Sequence, residues 1–256
     1  ISFGFGLTPS KNMSVTVDYY SIEINDRIVY GNEVNNTAAN ITSTSFFLNA
    51  AETKTSGIDV VATYRNLQLG SIRTNVNLAG NYTIENELVG GYQAVNNALS
   101  LNLDPGEEIF NQTQESLMTT SPPKYKFILG FDFFVNKFSF NLNNTLFGPT
   151  KFDNADLSDD LQVEFKPKVV TDFAVTYTAN THFSATLSLQ NIANVMPEYK
   201  LISRNAVGDG ILGDPAQVKD QISYITFNGR YPVLTYDGSH FSQMGTAFTF
   251  QLNYKF

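Results

Sequence analysis

A chain whose apolar residues recur at every second position has one regular conformation open to it, and residues 245–256 state that rule most clearly. Phe248, Phe250, Leu252, Tyr254 and Phe256 occupy one parity, while Thr249, Gln251, Asn253 and Lys255 occupy the other. Successive side chains of an extended backbone point to opposite faces, so this stretch has one apolar and one polar side. A soluble sandwich strand alternates too. An uninterrupted aromatic face closing on Phe256 is what a strand of about 10 residues needs when one of its sides touches hydrocarbon.

The alternation recurs along the chain and predicts nine strands. Ile1, Phe3, Phe5 and Leu7 are followed by Met13, Val15, Val17 and Tyr19, in a run that continues to Arg27. Ile22 and Ile24 switch parity there, which predicts a bulge near Tyr19-Tyr20. Ile58 to Tyr64, Ile72 to Tyr82, Tyr125 to Phe133 and Phe138 to Leu142 come next, then Val169 to Tyr177, Phe183 to Leu189 and the final run. Connections after Leu7, Tyr64, Phe133 and Tyr177 are short, with Asn66 to Gly70 read as one of the turns. The intervening ones are long: the polar stretch before Thr55, in which Phe46, Phe47 and Leu48 suggest a short local strand, then Ile84 to Pro123, Gly148 to Phe165, and Asn194 to Met244.

Short turns on one side and long loops on the other are the asymmetry of a transmembrane up-and-down antiparallel β-barrel. Aromatics sort by level as well. Tyr64, Phe133, Phe138, Tyr177, Phe183, Tyr254 and Phe256 fall beside short turns, and Tyr19, Tyr82, Tyr125 and Phe147 at loop-side ends, which predicts two girdles. The polar parity, rich in Ser, Thr, Asn, Gln, Asp and Arg, would face a wet lumen. The chain has 42% hydrophobic residues and no apolar run of about 18, so no transmembrane helix is expected, which leaves barrel strands open.

Zero Cys excludes a thiolate metal site, a disulfide scaffold and a Cys nucleophile. With 16 basic against 24 acidic residues, nucleic acid is not an expected partner. His182 sits at a turn and reads as a girdle or interface residue. His240 has Asp237 and Ser239 close in sequence, but neighbours on an extended segment do not converge on one reaction centre, so no catalytic residue is assigned. Residues Asp153 to Glu164 begin and end like a calcium loop, yet Ser158 stands where the turn glycine should be, and Ala155 and Leu157 fill ligand positions. That loop reads as solvated and acidic, Gly208 to Asp214 reads as a flexible loop, and no metal or cofactor site is assigned. Acids concentrated in three outer loops favour neutral or cationic ligands over polyanions; which loop residues bind ligand is not legible.

Leu7-Thr-Pro9 followed by Val15-Thr-Val-Asp-Tyr-Tyr-Ser-Ile-Glu-Ile-Asn-Asp-Arg-Ile28 resembles a strand pair of TonB-dependent outer-membrane receptors. Lys54-Thr-Ser-Gly-Ile-Asp59 is similar to their strand entry, and Leu187-Ser-Leu-Gln-Asn-Ile-Ala-Asn194 with Pro197-Glu-Tyr199 to a turn near their C-terminus. The aromatic terminus resembles their assembly signal. The resemblance implies that residues 1–256 form the C-terminal portion of a 22-stranded barrel, its fourteenth to twenty-second strands, with the plug and earlier strands upstream. It also implies a multi-pass protein of the Gram-negative outer membrane that imports a scarce nutrient (metal chelate, vitamin, glycan or peptide), with energy from an inner-membrane complex acting through the plug. Outer-membrane lipid, the plug, the remaining strands and the barrel-assembly machinery are the implied partners. An adhesin or secretion barrel, or a barrel enzyme, are the alternatives.

Overall fold

The computed structural model describes residues 1–36, 40–99, 104, 107–226 and 238–256. Strand β1 spans Ser2–Ser10, β2 Met13–Tyr30, β3 Val34–Asn36, β4 Ile41–Thr44, β5 Phe47–Leu69 and β6 Ile72–Leu88. Helices α1 (Gly91–Leu99) and α2 (Gln112–Thr119) precede β7 (Tyr125–Val135), β8 (Phe138–Phe147), β9 (Thr150–Phe152), β10 (Leu161–Phe165), β11 (Lys168–Thr178), β12 (Phe183–Gln190) and β13 (Tyr199–Ser203). Helices α3 (Ala206–Gly213) and α4 (Pro215–Ile225) lead to β14 (Ala247–Tyr254).

Nine strands make one antiparallel meander in the order β1-β2-β5-β6-β7-β8-β11-β12-β14. They are the nine that the alternation predicts. Pairing aligns like with like: Phe3 opposes Tyr19, Tyr19 opposes Ile58, Ile58 opposes Tyr82, and Tyr82 opposes Tyr125, an apolar row of four aromatics and one isoleucine across five strands. At the other edge Phe183, Leu187 and Leu189 oppose Tyr254, Phe250 and Phe248 on one face, while Thr186 opposes Gln251 on the other. A one-residue slip would exchange the faces, so this pattern pins the register.

Among the described residues, nothing forms a second layer on the apolar face. Helices pack on the loop-side ends of β5 and β6 and on β9 and β13, away from the Phe and Leu rows. Phe127 instead covers Gly80 on the neighbouring strand, where an added Cβ would lie 2.0 Å from its ring. The polar face closes on itself through hydrogen bonds: the Asn81 amide donates to Asp59 at 2.7 Å and to the Tyr20 hydroxyl at 3.0 Å. Asn77 and Asn141 both donate to Asp132, at 3.4 and 2.7 Å.

Three local expectations need correction. The bulge in β2 lies at Ile24 to Ile28 rather than near Tyr19-Tyr20, which stay in register with Ile58 and Gly57. Asp26 takes a positive φ of 53° there, a conformation that a short polar side chain tolerates. Asn66 to Gly70 is not a turn, because Asn66 (φ 58°) forms a bulge, the strand runs on to Leu69, and the reversal falls at Gly70-Ser71. Phe147 leaves the loop-side girdle: it pairs with Lys126 and Lys168 on the lumen parity, and the Lys126 ammonium sits 5.1 Å above its ring.

Candidate functional site at the loop-bearing end

Long connections build this end of the sheet, and they carry more structure than their irregular sequence suggests. Strands β2 and β5 run on as one hairpin through the polar stretch, and Phe47 and Leu48 open β5 rather than forming a separate strand. Val29, Val34, Leu48, Ala51, Leu88, Val95, Ile109 and Phe110 form one buried cluster there. A second cluster, Phe152, Leu157, Val163, Phe165 and Ile225, lies under the small sheet β13-β10-β9 and α4. Nearly all fully buried apolar side chains of the described residues sit in these two clusters.

Polar side chains fix the backbone of these loops. Asn111 caps α2 by accepting from the N–H groups of Thr113 and Gln114, and the Gln114 side chain accepts from the Asn111 N–H at 3.0 Å, a complete capping box. Asn205 caps α3 by accepting from the N–H groups of Val207 and Gly208, without a return bond because Gly208 has no side chain, and its amide also donates to Asp160 at 2.6 Å. Glu107 accepts from the backbone and side chain of Asn35, tying the approach to α2 against β3.

Of the five acids in the loop from Asp153 to Glu164, Asp153, Asp160 and Glu164 are engaged by other side chains, while Asp156 and Asp159 are exposed as a solvated loop requires. Asp153 forms an ion pair with Arg204, which also donates to Gln112 at 3.2 Å, and Gln162 donates to the second Asp153 oxygen at 3.1 Å. Burial pushes the Asp153 carboxyl above the usual carboxylate range and outweighs the opposing pull of Arg204 and Gln162. Glu164 pairs with Lys200 at 2.9 Å, so the two ends of the calcium-like stretch hold separate cations of the protein itself. Glu198, bonded by Lys166 and by Lys168 at 2.8 Å, is lowered to about 2, chiefly by the Lys166 hydrogen bond.

A polar cavity of about 300 Å³ opens beside Asp153, lined also by Glu108, Asn111, Gln112, Thr113 and Asp159. A larger one, about 590 Å³, has an apolar wall of Tyr199, Leu201, Leu212, Val218 and Ile222. Hydrogen-bonding groups in one and apolar surface in the other can hold a ligand. Gly208 to Asp214, read as a flexible loop, is the helix α3 with its C-cap.

His240 is built into the second cluster. Its Nε2–H donates to the Lys166 carbonyl at 2.9 Å, and its ring lies 5.8 Å from Phe147 and Phe165 and 4.9 Å from Phe241. A carbonyl only accepts, so Nε2 carries the proton and the enclosed Nδ1 is left bare and without a partner. Ser239 donates to the Phe241 carbonyl at 3.4 Å, and Asp237 lies outside the described residues. His182, at the opposite end, hydrogen-bonds through Nδ1 to the Lys255 carbonyl at 2.9 Å and joins the β11-β12 turn to the end of β14. Phe248, Phe250, Leu252, Tyr254 and Phe256 share the outer face of the edge strand and are exposed at 58% or more.

No curated protein matches the chain by sequence. Among solved structures it is similar to the outer membrane transporter YddB from Escherichia coli, at 11% identity over 77% of this chain and 28% of that one, TM-score 0.53. The copper transporter OprC aligns at 14% identity over 100% of this chain and 31% of its own, TM-score 0.52. The FrpB iron transporter from Neisseria meningitidis gives 13%, 79%, 26% and 0.50 in the same measures. The chain thus spans about a third of their length or less, and at such identities the likeness concerns the fold. Residues 1–192 match the family described as TonB dependent receptor-like, beta-barrel. That match, over a meander with an apolar outer face and a hydrogen-bonded polar inner one, identifies the chain as a member of the TonB-dependent receptor β-barrel family.

Proposed function

We propose that this chain is the C-terminal portion of the barrel wall of an outer-membrane receptor that actively imports a scarce nutrient in a Gram-negative bacterium. The observation that carries this reading is the two-faced sheet with every elaborate connection at one end. One face suits hydrocarbon, the other suits a wet passage, and the loop end offers cavities in which a ligand could be gathered. Edge strands β1 and β14 each have a single partner in the sheet. Open edges are not tolerated in lipid, so further strands of the same barrel are the proposed complement. Import would then depend on a plug in the lumen and an inner-membrane energy-coupling complex acting on it.

The test uses the complete receptor. Cells carrying and lacking it are compared for uptake of labelled metal chelates, vitamins, glycans and peptides, with and without collapse of the inner-membrane proton gradient. Saturable, energy-dependent accumulation of one class is expected. Adhesion or hydrolysis lost with the receptor, and no class of uptake changed, would favour the adhesin or enzyme readings instead. For the aromatic terminus we propose an assembly role, exerted through Phe248, Phe250, Leu252, Tyr254 and Phe256. Deleting Phe256 should lower the amount of receptor inserted in the outer membrane while synthesis stays constant, measured by surface labelling against total protein.

A further inference from the structure

The turn-bearing end of the sheet has a charge pattern that import does not use. Its hairpin tips and strand ends, residues 8–12, 64–73, 134–138, 178–183 and 254–256, hold Lys11, Arg65, Arg73, Lys137 and Lys255 without one acidic side chain. All 24 acids lie elsewhere in a chain of net charge −8, so five unopposed cations here are a sorting by side rather than a reflection of composition. The five are exposed. Lys11 and Lys137 stand in the reversals themselves, where neither face of the sheet claims them, while Arg65, Arg73 and Lys255 lie on the polar parity at the strand ends and reach the rim on their long stems.

Sheet order makes them neighbours. The β1-β2, β5-β6, β7-β8 and β11-β12 tips follow one another along the edge, and Lys255 comes next because its N–H donates to the His182 carbonyl at 2.8 Å. Paired strands lie about 4.8 Å apart, so one tip follows the next at about 10 Å. That is close to the Debye length of about 8 Å in physiological salt, so cations on adjacent tips act together; the β11-β12 tip has no Lys or Arg of its own. The Lys137 ammonium already bridges two tips by donating to the Ala179 carbonyl at 2.8 Å. Arg73 stacks 4.4 Å above Phe134.

Just inside these cations lies an aromatic belt on the apolar face. Phe138 and Tyr177 are 5.0 Å apart, Tyr254 and Phe256 5.1 Å, and the His182 ring reaches Tyr254 at 6.4 Å. Aromatic side chains settle at the headgroup boundary of a bilayer, and cations on long stems reach just beyond it. That depth is where lipid phosphates lie.

We propose that this basic rim binds the anionic phospholipid headgroups of the leaflet that the hairpin tips enter. Ammonium and guanidinium groups pair with headgroup phosphates while the neighbouring aromatics cover the upper acyl chains. The proposal rests on the barrel reading given above. Anionic lipid is favoured over an acidic protein because the cations stand on three of the four tips and at the end of β14, spread along the edge beside the aromatic belt rather than gathered in one patch.

The experiment compares the full-length receptor with a variant combining Lys11→Gln, Arg65→Gln, Lys137→Gln and Lys255→Gln, each in phosphatidylcholine vesicles. Trace spin-labelled phosphatidylglycerol or phosphatidylcholine reports the fraction of motionally restricted lipid. The wild-type receptor should prefer phosphatidylglycerol roughly threefold, and the preference should fall toward one in the variant and in ~0.5 M salt. A second variant, with Lys11→Arg, Lys137→Arg and Lys255→Arg, should keep it. Equal restriction of both lipids by the wild type, or a preference that survives charge removal, overturns the proposal. So does capture of an acidic periplasmic protein by the rim without any lipid preference. A wild-type receptor that does not enter vesicles as a heat-modifiable species defeats the barrel reading itself, which separates the two failures.

Discussion

Two single residues show how little room this architecture leaves. Gly80 sits opposite Phe127 on the apolar face, and the ring fills the space where a side chain would stand. Gly80→Val should displace that ring and destabilise the folded receptor by about 1–3 kcal/mol, the usual penalty of overpacking, seen as a lower temperature of gel-mobility change. His240 is the second. Burial foremost, and then the Lys168 charge, holds its pKa below the ordinary 6.5. A base with a lowered folded-state value binds fewer protons folded than unfolded, so its contribution is fully present above pH 6.5 and is lost as pH falls from there toward the lowered value. Amide exchange across residues 238–246, corrected for intrinsic rate, should therefore speed up in that window. His240→Phe should remove the pH dependence, and a wild-type segment with constant protection would contradict the assignment. Spacing of Ser239 and His240 in the sequence could never reveal this role, because the partner carbonyl of Lys166 lies 74 residues away.

Elements divide by how local their causes are. The nine wall strands were legible because period-two alternation is written into each segment separately, from Phe3 and Phe5 to Phe248 and Phe250. Bulges were not, since Asp26 and Asn66 take positive φ through pairing with partner strands, and a parity change at Ile22 points to the wrong site. Helices α1 to α4 escaped notice for a related reason: they are short, and contacts support them, α1 to α3 against β5, β6, β9 and β13, and α4 against α3. Two start signals were available. Asp214-Pro215 is an N-cap followed by Pro at the first position of α4. Asn111-Gln-Thr-Gln114 has the spacing of a capping box, with Asn as cap and Gln three residues on. Asn111→Ala should cost about 1 kcal/mol and speed amide exchange through residues 112–119 while the wall strands stay protected. The loop acids were misread for want of long-range information, because Asp153 and Arg204 are 51 positions apart.

At the scale of the molecule the decisive quantity is which medium meets each face. A cation at the middle of a lipid-facing strand costs about 2–4 kcal/mol, whereas the lumen accepts one at little cost. Phe250→Arg should therefore reduce assembled receptor sharply and Gln251→Arg should not, scored by heat-modifiable migration of outer-membrane fractions. Equal effects would mean that both faces meet the same surroundings. A further consequence comes from the two buried clusters at the loop end, each of which closes its own seam of Val, Leu and Phe side chains. The heads gain their order largely from within, so substitutions inside one should leave the register of the wall beneath unchanged. A whole head transplanted onto the wall of a related barrel should therefore keep its own fold there.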